Sequence, residues 1–116
     1  MAGKKAPLTF EEYQEKARTT AIYPEIGKEF VYPAFGLAGE TGEVMETIKK
    51  IFRDSKGKIN EETREKLKKE LGDVLWYLSN LATELGFSLE EIAQGNLKKL
   101  ASRKKRGVLH GSGDDR

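Results

Sequence analysis

At 116 residues, 37% of them hydrophobic and 34% charged, the chain suits one helix-leaning globular domain and not a disordered segment. It has no cysteine, which removes disulfides, thiolate metal sites and cysteine nucleophiles, and no apolar run of about 18 residues that would span a membrane. The net charge of +2 is unevenly spread: "KKLASRKKRG", residues 98–107, holds six basic residues, which could meet phosphates or simply complement a helix C-terminus.

Residues 1–8 read as a tail. The lysines of "MAGKKAPLTF" have no apolar stretch behind them, so no signal peptide is expected and a cytoplasmic location is the default. A first helix is predicted from Thr9, where "TFEE" is a capping box and Leu8 with Tyr13 can form a hydrophobic staple. It should run to about Ile22, before Tyr23-Pro24. A connector follows over residues 24–33.

A second helix is predicted to begin between Pro33 and Glu40, with Pro33 suited to the first helical position, and to reach about Asp54. Val44, Ile48, Ile51 and Phe52 give its apolar face. After "SKGK", Asn60 caps a third helix whose stripe from Leu67 through Leu71, Val74, Leu75 and Leu78 to Leu85 keeps the 3.6-residue period, with Gly86 placed to end it. The fourth opens on the capping box "SLEE" from Ser88. It buries Leu89, Ile92, Ala93, Leu97 and Leu100 and ends near Gly107. Residues 107–116 read as a Gly-rich tail whose His110, the one histidine, is expected to be solvated. No alternating strand pattern competes. The predicted fold is all-α, a four-helix bundle-like module over residues 9–106.

The chemistry concentrates in two related stretches. "ETGEV" (40–44) and "ELGDV" (70–74) each read carboxylate, any residue, Gly, carboxylate, Val. The short loop between their helices predicts an antiparallel hairpin. Glu40 with Asp73 and Glu43 with Glu70 share the index sum 113, whose midpoint falls inside "SKGK". All four carboxylates therefore stand at one level. Gathered in a partly buried site, they would either take up protons or bind a cation. Oxygen donors of this kind suit a hard divalent ion, Mg²⁺ with Mn²⁺ as a substitute. Gly42 and Gly72 each precede an acid and leave space for close helix approach or for a ligand. The bland alternative is a set of exposed helix-face acids in surface ion pairs.

"GLAGETGEVMETIKK" followed by "KKELGDVLWYLSNLA" resembles the MazG-like nucleoside triphosphate pyrophosphohydrolases of the all-α NTP pyrophosphatase group. The resemblance covers Thr9 to about Arg106. It implies that Glu40, Glu43, Glu70 and Asp73 are catalytic and hold Mg²⁺. It implies cleavage of the α–β bond of a (d)NTP to a monophosphate and pyrophosphate. It implies that Asn96, Lys99 and Arg103, which share one helix face, meet the substrate, with Lys50 as a weaker phosphate candidate. Trp76 could stack on a base or pack in the core. The group generally assembles as dimers or tetramers that complete the site, with Phe30, Val31, Phe35, Leu37 and Leu81 as interface candidates here. No membrane or nucleic-acid partner is expected. The rival readings are a hydrolase of another pyrophosphate-containing nucleotide, such as an alarmone, and a non-enzymatic helical module that binds a nucleotide or partner.

Overall fold

Four α-helices and no strand make up residues 6–116, the part of the chain that the computed structural model describes: α1 (Phe10–Arg18), α2 (Val31–Ser55), α3 (Glu61–Glu84) and α4 (Leu89–Arg106). Lys4 and Lys5 of the expected N-terminal tail lie outside the described residues.

The caps form much as the sequence dictates. Thr9 accepts the Glu12 N–H at 3.1 Å and Asn60 accepts the Thr63 N–H at 2.8 Å. At Ser88 both arms of the box close, Glu91 N–H to Ser88 Oγ at 3.0 Å and Ser88 N–H to Glu91 Oε1 at 2.6 Å. Each such cap stabilises its helix by about 1 kcal/mol. At Thr9 only one arm closes, because Glu12 turns to the Thr9 hydroxyl instead of its N–H.

Two boundaries differ from expectation. α1 ends at Arg18, not Ile22. The hydroxyls of Thr19 and Thr20 bond back to the carbonyls of Lys16 and Ala17, and the backbone tightens into i→i−3 turns before Pro24. α2 starts at Val31, so Pro33 is the third helical residue rather than the first. The first turn has no intrahelical use for an N–H, and proline is tolerated there.

The hairpin of α2 and α3 is the main packed unit. It turns at Lys56, which adopts the left-handed conformation with φ 53°, and Gly57. α1 packs across α3, with Ala17 and Ala82 buried, and α4 lies against α1. A polar network ties α1 to α3. Arg18 donates to Glu84 at 2.7 Å and to Tyr23 at 2.9 Å, and reaches the buried Asn80 at 3.4 Å. Gln14 bonds Thr83, the Phe87 carbonyl and the Leu89 N–H, which fastens α1 to the α3–α4 turn.

The bundle is open. Its radius of gyration is 17.6 Å, against about 13 Å for a compact domain of this length. The buried apolar residues among those described are Ala17, Pro33, Ile51, Ala82 and Leu89. Several residues read as core stand exposed instead, among them Phe52, Leu71, Leu85, Ile92, Leu97 and Leu100. A helical stripe shows that a face is apolar. It does not show that the covering surface belongs to the same chain.

Candidate active site

Contacts across the hairpin lie near the expected register: the Thr47–Glu70 hydrogen bond has the index sum 117, and a second contact has 113. Tyr77 lies on Gly36, a pair with that sum, so closely that a Cβ at residue 36 would overlap the ring. One turn further along each helix come Asp73 and Glu40, then Glu70 and Glu43.

These acids differ in setting. Glu70 is buried, Glu40 is half-buried, and Glu43 and Asp73 are exposed. The carboxyl of Glu40 is raised above the usual carboxylate range, first by burial, then by the charges of Asp73, Glu43 and Glu70. One group thus feels the other three. No ion pair joins any of the four to a lysine or arginine among the described residues.

The shift has a consequence for stability. Because the folded-state value is raised, ionising Glu40 opposes folding: stability is full below the ordinary carboxylate range and falls as pH rises through the raised one. Glu40→Gln removes that cost. The metal-free variant is expected to melt with wild type at acid pH and above it at pH 7. Added Mg²⁺ should then raise the melting temperature of wild type more than that of the variant.

Three residues not singled out as site residues by sequence complete the setting. Thr47 donates its hydroxyl to Glu70 Oε1 at 2.6 Å, with both residues buried. Its signal was its place four residues after Glu43, on the same face. Tyr77 follows Asp73 by four. Its phenol is raised by burial, then by Tyr32, Glu40 and Asp73. Tyr13 approaches from α1, its phenol raised by burial and then by Asp73.

The donor set fits a hard divalent cation, since four carboxylates from two helices offer only oxygen and their mutual repulsion is already felt at Glu40. Among the described residues no three of these side chains converge tightly enough to hold an ion as they stand. Of the four, the side chains of Glu43 and Asp73 are the exposed ones.

The remaining candidates lie apart from the acids. Lys99 and Arg103 are engaged by residues 107–116, which fold back along α4. Asp114 Oδ1 accepts from both, at 3.2 Å each, and its carbonyl accepts from Arg103 at 2.8 Å. Arg116 holds that loop through the carbonyls of Val108, Leu109 and Gly113. The expected Gly-rich tail is therefore structured, and it leaves Arg103 only 4% exposed. His110 is exposed, as expected. Asn96 lines an apolar cleft of about 240 Å³ with Phe10, Leu75, Leu78, Leu89, Ile92 and Ala93. Lys50 lines a polar cleft of about 260 Å³ beside Thr47, Asp54, Thr63 and Lys66, toward the hairpin loop.

Trp76 packs edge-on to Tyr77 and Tyr23, with ring centroids 5.0 and 6.3 Å away, and donates Nε1–H to Thr20 Oγ1 at 2.9 Å. Tyr23 in turn stacks on Tyr32 at 5.2 Å. Gly42 and Gly72 do not mediate close helix approach: a Cβ at either would meet nothing within 4 Å. Close approach is made at Gly36, where an aromatic ring and not a helix backbone comes near.

A model of the MazG nucleotide pyrophosphohydrolase domain matches residues 34–108. The chain belongs to the MazG nucleotide pyrophosphohydrolase family. The matched part of this MazG domain contains both carboxylate pairs, Thr47, Tyr77 and the cations of α4, while α1 and most of residues 107–116 lie outside it. Enzymes of the MazG family generally use divalent metals. A curated relative, the Gene 37 protein of Mycobacterium phage L5, is 49% identical over 109 residues, which cover 90% of this chain and 96% of that protein. No solved structure matches the chain.

Proposed function

We propose that this MazG domain is a Mg²⁺-dependent nucleoside triphosphate pyrophosphohydrolase that cleaves the α–β bond of a (d)NTP, with release of the monophosphate and pyrophosphate. The observation that carries the reading is the placement of Glu40 and Glu43 on α2 and Glu70 and Asp73 on α3 within one MazG domain, near enough that the charges of the other three act on Glu40. These four residues would hold the cation. A cation held there would supply a lowered pKa to the attacking water and charge neutralisation to the leaving pyrophosphate.

The chain's own groups supply the rest. A glutamate of the quartet takes the water's proton. Glu70, held by Thr47, keeps one fixed carboxylate orientation. The aromatic cluster of Tyr23, Tyr32, Trp76 and Tyr77 stands beside the acids and offers faces for a nucleobase. Lys50 lines a separate cleft toward the hairpin loop, which it shares with Thr47, and from there can meet a phosphate. For Lys99 and Arg103 to do so, Asp114 would have to yield them.

Assembly as a homo-oligomer accounts for the open bundle and for the apolar side chains it exposes. Of the residues expected at an interface, Phe30 and Phe35 are exposed, while Val31, Leu37 and Leu81 are half-buried. Light scattering at micromolar concentration should give a multiple of the 13.0 kDa chain mass.

The direct experiment is a panel of all common NTPs, dNTPs and guanosine polyphosphates, with and without Mg²⁺, scored by product identity. Monophosphate with pyrophosphate from a triphosphate is the expected result. Turnover of guanosine polyphosphates alone would move the assignment to an alarmone hydrolase. Binding without products would make the domain a non-enzymatic module.

A further inference from the structure

The geometry points to Thr47 as a positioning residue that presents Glu70 to the divalent cation; this rests on the metal-binding reading proposed above. Glu70 is the one member of the quartet that is buried, at 9% exposure, and Thr47 beside it is 6% exposed. An ionised carboxylate only accepts hydrogen bonds, so at 2.6 Å the threonine hydroxyl is the donor and Oε1 the acceptor. No hydrogen bond of the described structure engages Oε2. The contact therefore restrains the carboxylate through one oxygen and leaves the other for a ligand.

The bond also crosses the hairpin, since Thr47 belongs to α2 and Glu70 to α3. It holds the height of an α3 ligand against the helix that carries Glu40 and Glu43. Partners of this kind orient metal ligands, and their loss typically weakens metal affinity 10–100-fold. Valine copies the shape of threonine without the donor. Serine keeps the donor.

The test is Mn²⁺ binding to the full chain without nucleotide, read by the loss of the free-ion electron paramagnetic resonance signal. Thr47→Val is expected to bind about tenfold or more weakly, and Thr47→Ser within about threefold of wild type. Glu70→Gln separates positioning from packing. If Thr47 acts through Glu70, adding Thr47→Val to Glu70→Gln costs little further affinity; a purely structural effect would add in full.

Urea unfolding of each metal-free variant reports folding independently. Wild-type affinity in a folded Thr47→Val, or full additivity in the double variant, overturns the role of Thr47 and leaves the metal reading intact. Failure of wild type itself to bind Mn²⁺ overturns the metal reading and this role with it.

Discussion

Asp73→Asn and Glu43→Gln are expected to fold like wild type and to release pyrophosphate at least about a hundredfold more slowly, the scale on which losing one preorganised electrostatic contact acts on a transition state. The two positions make the cleanest test because both side chains are exposed and bonded to nothing in the described structure. Surface substitutions of that kind usually move stability by no more than about 0.5 kcal/mol. Neutralising either one also removes a repulsion that Glu40 already feels, so the folded state should lose nothing while the proposed cation site loses a full negative charge. Glu70→Gln would be harder to interpret, because Glu70 is buried and hydrogen-bonded to Thr47. Turnover and the urea midpoint should be measured on the same preparations. A folded Asp73→Asn that turns over at the wild-type rate would remove the quartet from the chemistry.

What could be read in the sequence was mostly local. Thr9, Asn60 and Ser88 cap their helices because a short polar side chain beside three free N–H groups has the same use in any context. The register was also legible, since two helices joined by a tight loop leave little freedom, and Tyr77 over Gly36 lies on the predicted sum. Distant partners were not legible. Nothing in "NLKKLASR" indicates that Asp114 will take up Lys99 and Arg103, because that depends on Arg116 closing a loop through three carbonyls. Leu97 and Phe52 lie on apolar stripes yet stand 68% and 69% exposed. Thr47 could have been grouped with Glu43 by spacing, but only the fold sets it against Glu70. Gly42 and Gly72 were read as sites of close helix approach or of room for a ligand, and the open space around them removes the first of these.

The glycines make the second large prediction, with opposite signs at neighbouring sites. Gly36→Ala should destabilise the protein by about 1–2 kcal/mol: forcing extra volume into a packed contact costs about 1–3 kcal/mol, offset by up to about 1 kcal/mol of helix propensity. The ring of Tyr77 would have to leave Gly36. It cannot do so alone, because it packs against Tyr32 and Trp76, and these pack against Tyr23. The displacement therefore spreads through the aromatic cluster beside Glu40 and Asp73. Gly42→Ala and Gly72→Ala meet open space and should each stabilise by up to about 1 kcal/mol through propensity alone. Thermal melts resolve this contrast, since about 1 kcal/mol moves the midpoint of a domain near this size by several degrees. The decisive comparison is the background. In a Tyr77→Ala protein the obstruction is gone, and Gly36→Ala should change from destabilising to stabilising. If Gly36→Ala stabilises the wild-type protein as well, Tyr77 does not rest on Gly36, and the hairpin register on which the proposed quartet depends loses one of its supports.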